Sequence, residues 1–440
     1  MKLEKITLLH PNMGDYRSMD ALPPLAMGIL AARTPDDIEV SFYDDRVEPL
    51  PLDKPADLVA MSVETFTARR AYQLADHYRA KKIPVVLGGH HPTLLPEESL
   101  LHADAVVTGD AEGAWEELLD DFRHGTLKNL YHGKMEMYPG GCGPNYSIFE
   151  GKKYAKAYLA QYGRGCRHQC DFCSVHSFYG NTIRHRPASE VADEVGKLLK
   201  RHPKRLLMFV DDNLYSSSAG ITELLEAIHP LGVRWACQIS ADVVLDSKVM
   251  DLMAASGCRV ALLGFESINE DNMEAMKKGW SRSCGDTRDV IREFHSRGIA
   301  VCGTFIFGYD GDTAETINAT VDFVIKERLE MALLSPITPL PRTPFYERLK
   351  KEGRLLRPDW WMEPGYRYGD SIVTPPGMDP EEFSRLCFDA KKRFYSWGAI
   401  ANRVFFPGSG LNLWNMGIIA LFNLISRHEV YRKQFRVFGA

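Results

Sequence analysis

The chain has 440 residues, 45% hydrophobic and 25% charged, the usual mix for a globular protein with room for two or three domains. Its net charge of −5 speaks against nucleic acid as a partner, which calls for a basic surface. Nine cysteines, scattered and odd in number, exclude a disulfide framework and fit a reducing compartment.

The N-terminus runs straight into a strand-like segment without the apolar core of a signal peptide, and a cytoplasmic location is expected. Strand-like runs lie at Lys5–His10, Ile38–Asp44, Leu58–Val63, Val85–Gly89 and Ala105–Thr108, with helix-like runs such as Ala68–Ala80 and Gly113–Phe122 between them. Short apolar runs alternating with amphipathic helices predict an α/β fold, a doubly wound, Rossmann-like domain over residues 1–130. Such sheets bind ligands beyond the carboxyl ends of their strands. Those ends carry His10-Pro11-Asn12, Ser62-Val63-Glu64-Thr65, Gly88-Gly89-His90-His91 and Thr108-Gly109-Asp110, and small residues there let a large flat ligand approach the backbone. From residue 126 the periodicity is lost, and 131–157, with Tyr138-Pro139-Gly140-Gly141-Cys142-Gly143-Pro144, reads as a linker.

A second alternating series begins at Tyr158. Its strands are predicted at Tyr158–Tyr162, Arg205–Val210, Arg234–Ile239, Val260–Phe265, Ala300–Phe307 and Met331–Pro336, separated by helices such as Ala188–Arg201 and Thr313–Arg328. Six βα units are too few to close an eight-stranded barrel and predict an open, partial (β/α)6 barrel over 158–351. Residues 352–440 turn helical and aromatic, with Trp360, Trp361, Tyr366, Phe394, Tyr395 and Trp397. They read as a C-terminal helical cap whose aromatics serve core packing more often than a substrate wall. Within it, 411–426 is mostly apolar, holds three asparagines and precedes a basic run. It is shorter than the ~20 residues that span a bilayer. A helix packed on the domain is one reading; a peripheral membrane contact or a wall for a greasy substrate is the other.

The first strand of the second series leads into Gly163-Arg164-Gly165-Cys166-Arg167-His168-Gln169-Cys170-Asp171-Phe172-Cys173. Three thiolates at this spacing can hold three irons of a [4Fe–4S] cluster and leave the fourth open to a small molecule. Zinc is the alternative, and it would need a fourth ligand, for which His168 and His176 are near in sequence. Cys237, Cys258, Cys284, Cys302 and Cys387 read as small core residues; Cys142, in the glycine-rich linker, is less easily placed.

This cysteine loop at the head of a βα series resembles that of the radical S-adenosylmethionine (SAM) enzymes. The resemblance implies that SAM chelates the open iron and that one electron cleaves it to methionine and a 5′-deoxyadenosyl radical. The protein's part is then to orient the reactants and exclude water. It implies SAM contacts from Phe172, from Asp211 and Asp212 toward the amino group, from Ser240 toward the ribose, and from Glu266. It also implies one from Gly308, at the end of Gly303-Thr304-Phe305-Ile306-Phe307-Gly308, a motif that lets adenine lie close to the backbone. Pro341-Arg342-Thr343-Pro344 resembles the family's P-G-T-P, with Arg342 in place of glycine.

A doubly wound domain ahead of a radical SAM domain is similar to the cobalamin (B12)-binding class. That likeness implies cobalamin contacts from Ser62, Val63, Glu64, Thr65, Gly88, Gly89, His90, His91, Gly109 and Glu112. His90 and His91 could equally serve backbone hydrogen bonding at a strand end. Two departures stand out. Asn12-Met13-Gly14-Asp15-Tyr16 occupies the place of D-x-H-x-x-G, which implies His-off binding, and Gly109-Asp110-Ala111-Glu112 replaces the commoner G-E-G-E.

The function expected from this resemblance is a cobalamin-dependent methyltransferase acting on an unactivated carbon. A cyclisation, rearrangement or oxidation on the same scaffold is the alternative, and a non-catalytic iron–sulfur or corrinoid sensor a third. The expected partners are a small-molecule substrate and an electron donor such as flavodoxin or ferredoxin. The apolar C-terminal third is compatible with a hydrophobic substrate such as a lipid or tetrapyrrole, and core packing accounts for it equally well.

Overall fold

Two parallel six-stranded sheets follow one another along the chain in a computed structural model that describes residues 2–134, 143–201, 205–410 and 413–439. Part of the expected linker, including Cys142, and the first residues of 411–426 lie outside the described residues. The first sheet comprises β1 (Lys5–His10), β2 (Glu39–Asp44), β3 (Leu58–Ser62), β4 (Val85–Gly88), β5 (Ala105–Thr108) and β6 (Leu130–His132). Their order is β2-β1-β3-β4-β5-β6. The direction of winding reverses between β1 and β3, where a doubly wound sheet opens a crevice for ligands.

Alternation within each strand sends neighbouring residues into opposite cores. Leu8, Ala60, Val86 and Val107 face Met27 and Trp115. Leu9, Val59, Met61, Leu87 and Val106 face Tyr72 and Tyr78 of helix Ala68–Ala80. The second core is completed by Trp360, Trp361, Tyr366 and Phe438, so these aromatics of the C-terminal region are packing residues of the first sheet. Strand β6 was not expected from the sequence; only three residues long, it offers no period to read, and its one well-buried side chain is Tyr131.

The second sheet comprises β7 (Ala157–Ala160), β10 (Leu206–Phe209), β11 (Trp235–Ile239), β12 (Cys258–Glu266), β13 (Ala300–Phe307) and β14 (Met331–Pro336). Each of these pairs with the next in parallel, and β7 and β14 are the two edges. This is an open half-barrel. Between β7 and β10, the two-residue strands β8 (Gly163–Arg164) and β9 (Arg184–His185) pair antiparallel. They clasp the ends of the loop that carries the three cysteines.

Candidate active site

The cysteine loop leaves the carboxyl end of β7 and is held from beneath by carboxylates at the end of β10. Asp211 accepts hydrogen bonds from the backbone N–H of Tyr162, at 3.1 Å, and of Gly163. Asp212 accepts from Gly165 N–H at 2.9 Å. Burial raises the carboxyl of Asp211 to about 7, although the two amides oppose the shift. With both oxygens engaged and the side chain buried, Asp211 braces the loop, whereas the resemblance implied a ligand contact there; Asp212 is partly exposed.

Farther along, Asn213 Nδ2 lies 3.6 Å from Cys166 Sγ and 3.0 Å from Ser240 Oγ. Ser240 in turn donates to Asp242 at 2.5 Å. Phe172 packs beside Met276 and Tyr309. Asp171 Oδ2 accepts from Tyr309 Oη at 2.5 Å. On the opposite wall Glu266 adopts φ +66° and forms a buried ion pair with Lys278 at 3.0 Å. A Cβ on Gly264 would collide with both partners. Asn213 and Lys278 lie in segments that resemble the family's strand-end motifs, Phe209–Asn213 and Met276–Gly279, but without a role of their own, and nothing in the sequence marks Asp242.

Burial raises the Cys170 thiol to about 11 and the Cys173 thiol to about 12, and the neighbouring sulfurs add to both shifts. Such thiols ionise when a metal supplies the missing positive charge. Among the described residues, no three His, Cys, Asp or Glu side chains converge on a point that could hold a single ion. His168 stacks on Trp280 with centroids 3.6 Å apart, and His176 is hydrogen-bonded to Gly180 O. Both histidines near the loop are thus engaged elsewhere, and the three thiols are the donor set that a [4Fe–4S] cluster takes.

The glycine motif of β13 meets a different neighbour from the adenine the resemblance implied. A Cβ on Gly308 would strike the Phe383 ring, at 2.6 Å, and one on Gly303 would strike Leu329, also at 2.6 Å. Helix Pro380–Phe394 occupies the space beside Gly308, so that glycine serves packing.

A cavity opens at the carboxyl ends of the first sheet. Of the residues assigned to cobalamin by resemblance, Ser62, Gly88, Gly89, His90, Gly109 and Glu112 line it. Gly89, at φ +99°, lets the chain pass Ser62 and Val63 where a Cβ would come within 3.0 Å. Val63, Thr65 and His91 are buried elsewhere, and Glu64 is exposed away from the cavity. His91 contacts Thr65, Tyr72 and Glu98 at 3.3, 3.1 and 3.0 Å; it is a core histidine. Among the described residues His90 is the one histidine that lines the cavity. It stacks on Phe178 with centroids 4.9 Å apart, and its Nε2 is buried without a hydrogen-bond partner, an orphaned atom that fits a ligand at this place. Asn12, in the loop after β1, is tied to Tyr16 O and Asp45 O, so its side-chain amide is already engaged within the loop.

The half-barrel supplies the cavity's other wall through Gln161, Arg164, Phe178, Tyr179 and Val210. Arg164 binds Glu112 at 2.7 and 3.1 Å and Asp110 at 3.0 Å, while Arg184 binds Asp110 from the other strand of the clasp. Burial would raise Glu112, but the Arg164 guanidinium holds its carboxyl below the usual carboxylate range. The residues that end the cobalamin motif thus grip the strand that begins the cysteine loop.

Family comparisons agree with this geometry. The radical SAM superfamily matches residues 161–324 and the B12 binding domain matches residues 21–119. The chain is 32% identical over 417 residues to bacteriochlorophyllide d C-12(1)-methyltransferase of Chlorobaculum tepidum, covering 92% of this chain and 89% of the relative. It is 26% identical over 420 residues to the C-8(2)-methyltransferase of the same organism, covering 91% and 92%. Among solved structures, the radical SAM methyltransferase TsrM from Kitasatospora setae, with cobalamin and a [4Fe–4S] cluster bound, superposes with a TM-score of 0.64 at 18% identity, covering 88% of this chain and 82% of that one. A match at this identity along nearly the whole length of both chains places the protein in the cobalamin (B12)-binding radical SAM enzyme family, whose cofactors are a [4Fe–4S] cluster, SAM and cobalamin.

Proposed function

We propose that this enzyme is a methyltransferase that places a methyl group on an unactivated carbon of a bulky, largely apolar small molecule. The observation that carries the reading is the shared cavity. Its floor is the cobalamin-type crevice and its far wall includes Gln161, Arg164 and Val210, which lead into the cysteine loop and into Asp211 and Asp212, so the crevice lies against the segments that carry the cluster loop. In such a pair, reductive SAM cleavage supplies a radical and the corrinoid supplies the methyl group.

The chain's own residues would divide the remaining work. Cys166, Cys170 and Cys173 would hold three irons. Phe172, Asp212, Ser240 and Glu266 would meet SAM. Ser62, Gly88, Gly89, His90, Gly109 and Glu112 would seat the corrinoid. The apolar wall of Phe178 and Val210 would help to keep the space dry, where electrostatic interactions are strongest. The electron would come from a reduced flavodoxin or ferredoxin. The names of the two curated relatives, both methyltransferases of bacteriochlorophyllide d, support methyl transfer and a large substrate.

The test is an anaerobic assay of the reconstituted enzyme with candidate apolar substrates. Formation of both 5′-deoxyadenosine and S-adenosylhomocysteine with a methylated product supports the reading. 5′-Deoxyadenosine with an unmethylated product would shift it to cyclisation, rearrangement or oxidation.

A further inference from the structure

The C-terminal helix, Leu413–Lys433, is inside out. A surface helix ordinarily turns its apolar stripe to the core and its polar face to water. Here the inward face buries Asn415, Asn423 and Glu429 beside Ile419. Asn423 is tied to Glu330 O at 2.9 Å and Arg403 Nε at 3.2 Å. The outward face presents Leu421, Leu424, His428 and Tyr431, and Phe435 follows just beyond the helix, at successive spacings of three and four; all are exposed. The adjoining helix Trp397–Phe405 adds Trp397 and Phe405. Of the 13 exposed large apolar side chains among the described residues, eight lie between Trp397 and Val437. Scattered exposed leucines need no explanation, but a concentrated patch marks a contact surface.

Charge tells which contact. Residues 390–440 carry eight Lys and Arg against a single acidic side chain, Glu429, in a chain whose net charge is −5. Of the eight, Lys391 and Arg403 are buried, and Lys392, Arg393, Arg432, Lys433 and Arg436 pair with Asp389, Asp322, Glu429, Asp20 and Asp15, which leaves Arg427 as the cation of this face without an acidic partner among the described residues. Arg427 lies within the stripe, 4.7 Å from the Trp397 ring and 5.0 Å from the Tyr431 ring. Two copies joined through this face would press Arg427, which lacks an acidic partner, into a dry interface, which disfavours self-association. Apolar side chains flanked by Trp, Tyr and cations suit the headgroup boundary of an anionic bilayer, where the rings sit at the interface and the cations meet lipid phosphates. Among the described residues no helix is long and apolar enough to cross a membrane, so the contact would lie in the plane of the surface.

We propose that the outward face of Leu413–Lys433, with Trp397 and Phe405, docks this enzyme on an anionic lipid bilayer. The face is separate from the cofactor cavity, and the proposal stands or falls independently of the methyl-transfer reading.

The experiment is flotation of the full chain with vesicles of phosphatidylglycerol and phosphatidylcholine in equal parts, and with phosphatidylcholine alone. Binding is expected with the anionic vesicles only, weakening about tenfold between about 0.05 and 0.5 M salt. The variant carrying Leu421→Ser and Leu424→Ser should lose about tenfold or more in binding with an unchanged melting temperature, since both side chains are exposed. Flotation of that variant at the wild-type level, or no flotation of the wild type, overturns the proposal. So does a wild-type dimer in sedimentation velocity that the same two substitutions dissolve, which would assign the face to a second copy.

Discussion

Arg164 and Glu112 face each other across the seam between the two sheets, joined by two hydrogen bonds of 2.7 and 3.1 Å, with Arg164 two residues ahead of Cys166. Both side chains are buried, so their charges depend on one another. Replacing Arg164 with alanine leaves Glu112 and Asp110 buried near each other with less positive charge. The expected loss is about 3–5 kcal/mol of stability, read by urea denaturation. Arg164→Lys keeps the charge but loses the two-pronged geometry and should fall between. An alanine variant as stable as the wild type would show that the seam does not depend on this pair.

Acid should weaken the fold through histidines that it keeps neutral. Burial lowers His10 to about 3, with Arg46 adding to the shift and Asp44 opposing it. Burial, then the neighbouring His91, lowers His90 to about 4. Between pH 6.5 and these values the unfolded chain takes up protons that the folded chain refuses, so stability is kept above 6.5 and falls as pH drops. Each group can contribute up to roughly 1.4 kcal/mol per pH unit. Melting temperatures across this range, compared between wild type and His10→Gln, should show a shallower acid slope in the variant.

The aromatic face of the first sheet makes a packing prediction. Trp360 is buried against it and donates from Nε1 to Pro339 O at 3.0 Å. Trp360→Ala should cost about 3–5 kcal/mol. Trp397→Ala, on the exposed surface, should cost less than about 0.5 kcal/mol. Chemical denaturation of the pair checks both figures.

The cysteines should divide into two groups. Alanine at Cys166, Cys170 or Cys173 should abolish visible iron–sulfur absorbance and SAM cleavage after anaerobic reconstitution. Alanine at buried Cys302 or Cys387 should retain both at the cost of some stability. Reconstitution of a full cluster in Cys170→Ala would remove that residue from the ligand set.

Much of this was legible in the sequence, for a physical reason. Runs such as Lys5–His10 and Ala300–Phe307 are buried on both faces, so their composition alone sets them apart from the amphipathic helices beside them. The cysteine spacing likewise encodes its chemistry directly. Side-chain direction at a strand end does not. His90 and His91 are adjacent letters, yet one lines the cavity and the other is sealed among Tyr72, Glu98 and Trp361. Gly308 looks like room for a ligand until Phe383, 75 positions later, fills the space. The Arg164–Asp110–Arg184 contacts join segments that no local pattern relates.

The order in which the chain is made meets a difficulty that the finished fold conceals. Successive strands of the half-barrel pair with their immediate predecessors, so that sheet can grow as residues leave the ribosome. The first sheet cannot be finished in this way. Its strands are synthesised by residue 132, but the core on one of its two faces, begun by Tyr72 and Tyr78 against Leu9, Val59, Met61 and Leu87, is completed only by Trp360, Trp361, Tyr366 and Phe438. The domain translated first is thus completed last, and through the intervening synthesis it must hold a partly uncovered apolar flank that invites chaperones or misassembly.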